Sequence, residues 1–398
     1  MKLALIICCI TFCTFTVRAQ KSQFKFAQTH FGVQSEFLTN GKGMHFASQR
    51  LLIGGNHFWG KADFYISIPL LSADLSDSEI SNYSSGVITG ARWIPFGFSS
   101  KAPRPFMGAQ WVTPRFSTSL GGMTQKSRLG LELGASLVFN KSWTLELGCS
   151  YITNQNTPYY TSRKSRETLK LPRYSVNLSV KKFFDFTAGI GSETGREYAL
   201  RAKTHFDDKN LLSTWSVALG LTSNILLSPY NFASEQVFLP KKPRIALAPD
   251  LALGYYLHSA DLAFRLSYRP FRLSQSAYGF EWEAKIHRLH FEAFKFLTDY
   301  NGFVPFAGAA IGYEFTALRI ADNGATVTDL NDSAFNGAVV VGWDIRPNDV
   351  QWYILRTNIR YIVDSKSYQK ELKISSDHLE IDFIQFVFYP SRFKNRNL

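Results

Sequence analysis

Apolar and polar residues alternate along Ser127 to Ile152 almost without a break. Side chains of a β-strand alternate between its two faces, so each parity of this stretch occupies one face. Residues 140–142 interrupt the pattern, which predicts a hairpin in which Phe139 pairs with Trp143. The register then continues outward through Leu137 with Leu145, Ala135 with Leu147 and Leu133 with Cys149.

The same alternation would suit a soluble β-sandwich, so the hairpin alone does not decide the fold class. Each arm, however, has about ten residues, the length that a tilted strand needs to cross a bilayer. Aromatic residues sit at the end of the hairpin, and the pattern recurs down the chain. We therefore predict an all-β fold, a transmembrane antiparallel up-and-down β-barrel whose apolar face points to lipid.

Further alternating segments run from His30 to Tyr389 and predict one barrel of roughly 14 to 18 strands. Between residues 183 and 240 the pattern is weaker, and we predict strands at Tyr198–Thr204 and Trp215–Leu221. The glycine-rich GIGSETG at 189–195 lacks the spacing of a dinucleotide fingerprint, and no helical pattern is evident after it, so it is interpreted as a loop.

A weak internal repeat offers an alternative, two tandem eight-stranded barrels. The segments ARWIPF (91–96), RPFMGAQW (104–111), the 129–151 hairpin and YSVNLSV (174–180) recur in the same order. Their counterparts are SYRPF (267–271), VPFAGAAIGY (304–313), a hairpin at 338–361 and the final strand.

The N-terminus reads as an export signal, with Lys2, an apolar run and a cleavage site after Ala19. The predicted divisions are a signal peptide at 1–19, a barrel at 20–389 and a short basic tail at 390–398. Cys149 is then the one remaining cysteine, which excludes an internal disulfide.

The formal net charge of +13 comes from basic residues dispersed over strand ends and loops. Together with export, this dispersal argues against a nucleic-acid partner and favours lipid phosphates, including lipopolysaccharide, as counter-charges. The pattern does not indicate an oligomeric state.

Several motifs together resemble outer-membrane β-barrel proteins of the Bacteroidota. They are the signal ending Arg18-Ala19-Gln20, the strand end at 92–96, the segments starting at Pro105 and Pro305, and the aromatic final strand. The resemblance covers the whole mature chain and implies the outer membrane of a Gram-negative bacterium. It also implies that the barrel-assembly machinery recognises Phe386, Phe388 and Tyr389, although nine residues follow them here.

Charged residues on the polar parity are predicted to line the lumen. The candidates are Arg92, Glu132, Glu146, Arg265, Arg269, Glu281, Glu283, Asp344, Arg356 and Arg360. In a wide barrel they would border a weakly selective, porin-like passage for small solutes. The alternative is a closed barrel, stiffened by salt bridges, that serves as a scaffold, an adhesin or a secretion-system partner through its extracellular loops.

The sequence predicts neither an enzyme nor a bound cofactor or metal. No Ser/His/acid constellation stands out on the strands. His287 and His290 are three residues apart on a strand, so they point to opposite faces and cannot share an ion with Glu292.

Loop lengths predict the orientation, since long loops of such barrels face outside. The short turns at 140–142 and 346–349 should be periplasmic, and the loops at 153–172 and near 240 extracellular. Two basic clusters, Arg163-Lys164-Arg166 and Lys241-Lys242-Arg244, would then meet the phosphates of the outer leaflet.

Overall fold

The computed structural model describes residues 27–39, 45–74, 80–95, 102–112, 114–118, 121–124, 128–139, 142–153, 156–160, 162–185, 193–226, 246–299, 302–346, 350–364 and 378–395. The predicted signal peptide, the cluster at 241–244 and most of the two short turns lie outside these residues. The described chain is all-β and antiparallel, as the alternation predicts.

The strands of the first half, in chain order, include both barrel strands and short strands of the connections. They are β1 (Ala27–Thr39), β2 (His45–His57), β3 (Ala62–Asp74), β4 (Ile80–Ser84), β5 (Ile88–Trp93), β6 (Arg104–Val112), β7 (Arg115–Thr118), β8 (Gly121–Thr124), β9 (Arg128–Phe139), β10 (Trp143–Ile152), β11 (Asn156–Tyr160), β12 (Arg166–Lys170) and β13 (Tyr174–Asp185).

The second half begins with helix α1 (Glu193–Asp208) and ends with the short helix α2 (Pro390–Lys394). Its strands are β14 (Thr214–Leu226), β15 (Ala246–Leu257), β16 (Leu262–Ala277), β17 (Phe280–Phe296), β18 (Phe303–Asp322), β19 (Ala325–Ile345), β20 (Tyr353–Asp364) and β21 (His378–Phe388).

The strands close into two separate barrels. The first has the order β1-β13-β10-β9-β6-β5-β3-β2 and closes where Val33 of β1 pairs with Val180 of β13. The second runs consecutively from β14 to β21 and closes where Val217 pairs with Phe388. Each barrel has eight strands. Two small sheets, β4-β7-β8 and β11-β12, extend the connections of the first barrel.

The alternative of two tandem eight-stranded barrels is therefore confirmed, and the prediction of one barrel is wrong. The total number of barrel strands falls in the predicted range, but α1 separates β13 from β14, so the two strands do not pair. Each set of strands closes on itself instead. The domain predicted at 20–389 accordingly divides into barrels at Ala27–Asp185 and Thr214–Phe388.

The internal repeat maps onto equivalent strands of the two barrels. RPFMGAQW and VPFAGAAIGY form the fifth strands, β6 and β18. The two repeated hairpins form the sixth and seventh strands, and YSVNLSV and the final strand are both eighth. The match between ARWIPF and SYRPF is shifted by one strand. ARWIPF begins in the fourth strand of the first barrel, and SYRPF lies in the third strand of the second.

The register and faces of the organising hairpin are confirmed. Phe139 pairs with Trp143, and the three further pairs follow as predicted. Leu131 and Leu147 are 52% and 56% exposed on the outer wall, whereas Glu132 is 1% exposed inside. A soluble barrel would show the reverse distribution, so the outer wall of this one is built for an apolar solvent.

The strand predicted at Tyr198–Thr204 is wrong, because these residues lie in α1. Ala202 and Phe206 are four residues apart, so they share one helix face, and this face packs against Val350. The Trp215–Leu221 strand is confirmed within β14.

The last three residues of GIGSETG open α1, and the other four lie outside the described residues. No helix in the described part of the chain is long and apolar enough to cross a membrane.

Both barrels have a short-turn end and a long-loop end. In the first barrel the connections at 58–61 and 140–142 define the short-turn end, and those at 75–87 and 153–173 the long-loop end. In the second barrel, β15 pairs with β16 only as far as Tyr268, and β20 pairs with β19 only from Asn336 onward. Strands β16 to β19 extend well beyond these pairs. We call the part of β16–β19 beyond these pairs the upper sheet. It projects from the long-loop end.

Candidate functional site in the two barrel interiors

Eight of the ten predicted lumen charges lie inside the barrels and are buried. They are Arg92, Glu132, Glu146, Arg265, Arg269, Asp344, Arg356 and Arg360. Glu281 and Glu283 instead face outward from β17, which corrects their predicted placement. Strand parity explains this: His290 and Glu292 point inward lower on the same strand, so Trp282 takes the inward position above them.

Arg92 on β5 is the centre of the network in the first barrel. Its Nε and Nη2 donate to the Glu132 carboxylate at 2.8 and 2.7 Å, and its Nη1 donates to Glu146 at 2.8 Å. The guanidinium also lies over the ring of Tyr65, 4.2 Å from its centroid. Bidentate arginine–carboxylate pairs are among the strongest hydrogen-bonded contacts in proteins. Both carboxylates are thereby held by one cation.

Three buried residues that the sequence reading missed complete this network. The Lys181 ammonium donates to Asp63 at 2.8 Å and lies 2.9 Å from Glu146. The other carboxylate oxygen of Asp63 is 2.6 Å from Nε2 of His30. All three occupy inward positions, and their alternation with apolar residues such as Phe31 and Phe64 was the available signal.

The second barrel has a larger network, centred on Glu292 of β17. Its carboxylate accepts hydrogen bonds from Arg265, Arg269 and Arg360 at 2.9, 3.0 and 2.9 Å. Arg360 also donates to Asp382 at 2.7 Å. Three cations around one anion would repel one another strongly in a buried site, so further carboxylates are needed.

Those carboxylates come from strands whose charges the sequence reading did not single out. Glu380 of β21 lies 3.0 Å from Nε of Arg269 and accepts from Arg288 at 2.8 Å. Asp250 of β15 accepts from Arg360 at 3.2 Å and from the Gln385 amide at 3.0 Å.

A second layer lies nearer the short-turn end of the same barrel. Arg356 donates twice to Asp344, at 2.7 and 2.9 Å, and Arg346 donates to the same carboxylate at 3.2 Å. Their guanidinium groups lie over aromatic rings, Arg356 4.6 Å from Phe294 and Arg346 4.0 Å from Phe296. Stacking on rings stabilises cations that water does not reach.

Taken together, the arginines and carboxylates that pair inside the second barrel match in number, whereas the buried Arg392 of α2 donates to the Gln351 and Leu212 carbonyls. Six arginines face six carboxylates among the described residues: Arg265, Arg269, Arg288, Arg346, Arg356 and Arg360 against Asp250, Glu292, Glu314, Asp344, Glu380 and Asp382. A buried network of this kind is tolerated only when its charges are paired and hydrogen-bonded.

Apolar side chains pack above and below these networks. In the first barrel Leu52, Ile88, Val112 and Ile152 form one cluster, and Val138 packs with Phe183 nearer the short-turn end. In the second barrel, Phe294, Phe296 and Phe306 fill the short-turn end and Phe271, Leu273 and Trp282 are buried at the other. An eight-stranded barrel has an interior just wide enough for side chains, and here they occupy it.

The outer walls carry two aromatic belts. In the first barrel Phe139 stacks with Trp143 at the short-turn end, and Tyr151 contacts Tyr174 at the long-loop end. Trp143 and Tyr151 are eight residues apart in β10, which is about 27 Å along the strand and roughly 20 Å along the normal of a tilted strand. This spacing suits the apolar layer of a membrane.

The two barrels contact each other at both ends. Near the short-turn end the rings of His57 and Phe64 lie 6.0 and 5.8 Å from Trp343 of the second barrel. Near the long-loop end Arg163 of the β11–β12 hairpin donates to both carboxylate oxygens of Asp322, one at 2.9 Å, and to the Tyr278 carbonyl at 2.9 Å. We call this second contact the staple.

The staple changes the role expected for Arg163. The hydrogen bond from Arg163 lowers the pKa of the Asp322 carboxyl below its usual value. Arg163 thus has a carboxylate partner in the protein itself, whereas the neighbouring Lys164 is exposed. Within the described residues, no group of three or more His, Cys, Asp or Glu side chains is arranged to hold a metal ion.

No protein-family model and no curated protein matches the chain. Among solved structures, Neisserial surface protein A aligns with 44% of this chain and 97% of its own, at 13% identity and a TM-score of 0.33. The attachment invasion locus protein of Yersinia pestis covers the same shares at 13% identity and a TM-score of 0.30. An outer membrane channel from Pseudomonas putida F1 covers 94% of this chain and 99% of its own, at 10% identity and a TM-score of 0.23. At such TM-scores the likenesses carry no argument, and the architecture rests on the strand pairing of this chain.

Proposed function

We propose that this chain is an outer-membrane protein whose two closed barrels act as an anchor and scaffold for the structures at the long-loop end. The observation that carries the proposal is the filling of both interiors by paired charges and apolar layers. Solute passage needs a wet lumen, and the packing of the described residues leaves little room for one inside an eight-stranded barrel. The porin-like passage stays a prediction that the packing does not support.

The membrane assignment is supported by three features of the chain. The outer walls are apolar between aromatic belts, the interiors are polar, and the N-terminal residues have the pattern of an export signal. The Bacteroidota type of outer-membrane barrel rests on the sequence motifs alone. Insertion by the barrel-assembly machinery would follow from that membership.

The parts available to partners are the upper sheet and the connections of the first barrel. Strands β18 and β19 pair along 20 and 21 residues, about twice the length that a bilayer requires. Tight turns at Tyr278-Gly279 and Asn323-Gly324, with positive φ at all four residues, close the two hairpins of the upper sheet. This rigid projection suits adhesion or docking of a secretion partner better than transport.

Two experiments test the proposal. Single cysteines at Ser165 and Lys61, in a Cys149→Ala background, report the orientation on intact cells with an impermeant reagent. Labelling at 165 and protection at 61 supports exposure of the long-loop end, and the opposite result contradicts it. Liposomes containing the refolded protein should not swell in an isotonic solution of a small sugar, whereas rapid swelling would favour the porin-like passage.

A further inference from the structure

Two cations face outward above the aromatic side chains Tyr268, Tyr313 and Phe335, which form the upper belt of the second barrel. Arg272 of β16 and Lys285 of β17 are cross-strand partners, and their side chains are 70% and 60% exposed. One strand pair below them, at the level of Pro270, His287 stacks on Tyr268 and accepts or donates a hydrogen bond of 2.7 Å with its hydroxyl. We call Arg272 and Lys285 the cation row.

The row has a surplus of positive charge close to the belt. Like charges directly opposite each other destabilise a strand pair. One carboxylate, Glu283, serves both cations: it accepts from Nε and Nη2 of Arg272 at 2.8 and 3.1 Å, and its Oε1 is 3.7 Å from Nζ of Lys285. The next pair outward, Arg319 and Asp329, is of opposite charge. On β17 the outward residues beyond Lys285 are the carboxylates Glu283 and Glu281, so the positive charge of the row lies at the level where the belt ends.

Belt and row together have the geometry of a lipid-headgroup site. Aromatic belts lie at the boundary between acyl chains and headgroups. Two residues along a strand span about 7 Å, so the row lies at the height of the headgroup phosphates. Both cations project from the paired strands of the upper sheet, so their backbone positions are fixed before a ligand arrives.

We propose that the cation row binds a phosphate of the sugar headgroup of an outer-leaflet glycolipid, with Arg272 donating from Nη1, on the side of its guanidinium away from Glu283, and Lys285 supplying a point charge. The acyl chains of the lipid then lie along the apolar wall below, against Leu266 and Leu289, which are 45% and 43% exposed.

The inference rests on the outer-membrane placement proposed above, but its test does not depend on orientation. Refolded full-length protein in detergent micelles is titrated with a diphosphorylated glucosamine-disaccharide lipid, and bound lipid is counted by native mass spectrometry. The Arg272→Gln/Lys285→Gln variant should bind about tenfold more weakly or worse. The matched Lys182→Gln/Lys295→Gln variant removes two outward lysines at the short-turn end and should bind as the wild type does.

Equal binding by both variants would overturn the site. Equal binding of the dephosphorylated lipid would overturn the role of the phosphate, and equally tight binding of phosphatidylglycerol would overturn the glycolipid assignment. Displacement by millimolar inorganic phosphate alone would identify a free-anion site instead. A wrong membrane orientation would appear in the cysteine labelling and leave these titrations unchanged.

Discussion

At the scale of single residues, the inward or outward position of a side chain was predictable and its partner was not. Parity placed Arg92 and Glu132 inside, because a strand residue has only two faces to choose from. The pairing of Asp250 with the Gln385 amide joins residues 135 positions apart in the chain. No local pattern encodes such a contact, because it depends on which strands close the barrel.

The Arg92 network should be costly to break from one side. Arg92→Leu removes the cation that the buried carboxylates Glu132 and Glu146 share, and we expect a loss of about 3–5 kcal/mol in the free energy of unfolding. Urea titration in lipid vesicles measures it. Arg319→Leu, an exposed control whose side chain makes a 3.4 Å contact to Thr326, should change it by no more than about 0.5 kcal/mol. Equal effects of the two would refute the network's role.

A charge placed on the lipid-facing wall should also be costly. Leu147 lies midway between Trp143 and Tyr151 on the outer face, so Leu147→Arg should cost about 2–4 kcal/mol, against about 0–1 kcal/mol near or above the membrane surface. Ser274→Arg, on the exposed part of β16 above the belt, is the control. Refolding titrations in vesicles measure the stability of both variants. An equally small loss of stability in the two would refute the face assignment.

At the scale of elements, the hairpin register was predictable because parity and turn length fix it together. Helix α1 was missed because its buried stripe, among the side chains that the structure describes, consists of Ala202 and Phe206, and Leu200 is 68% exposed. A feature that sequence alone did not reveal is a cross-strand pair of phenylalanine and glycine. Phe106 pairs with Gly134 in the first barrel, and Phe306 pairs with Gly342 in the second.

The glycine of this pair should not accept a side chain. A Cβ at Gly342 would lie 2.3 Å from the Thr357 carbonyl oxygen and 2.7 Å from the Phe306 ring, so Gly342→Ala should destabilise the second barrel by about 1–3 kcal/mol. Gly337→Ala on the same strand meets its nearest atom at 4.0 Å and is the control. Thermal unfolding midpoints compare them, and an unchanged midpoint for Gly342→Ala would contradict the packing.

The staple should depend on pH. Because Arg163 lowers the pKa of Asp322, the carboxylate stays ionised down to the usual aspartate range, and the ion pair is lost only as the pH falls below about 4. Fluorophores on cysteines at Thr168 and Ser274, with Cys149→Ala, report the separation of the two long-loop ends by energy transfer. Transfer should be steady from neutral pH to about 5 and fall below about 4. In the Asp322→Asn variant this fall in energy transfer should be absent. A fall of the same size in that variant would assign the transition to other titrating groups.

At the scale of the whole molecule, the internal repeat was a better guide than the number of strands. Counting segments predicts how many strands exist, but barrel closure depends on pairs such as Val33 with Val180, which no count reveals. The repeated fifth to eighth strands carried the information that the chain contains two equivalent units. Two small barrels in place of one large barrel then change the expected function, because interior width follows strand number.

The central claim is that both barrels are closed, and planar-bilayer conductance of the refolded protein tests it most directly. Insertion is first established by protease protection, so that silence is not mistaken for an absence of protein. The wild type should then show no discrete current steps, because paired charges and apolar layers fill both interiors. Stable, reproducible steps from folded wild-type protein would contradict the account and restore the porin-like passage.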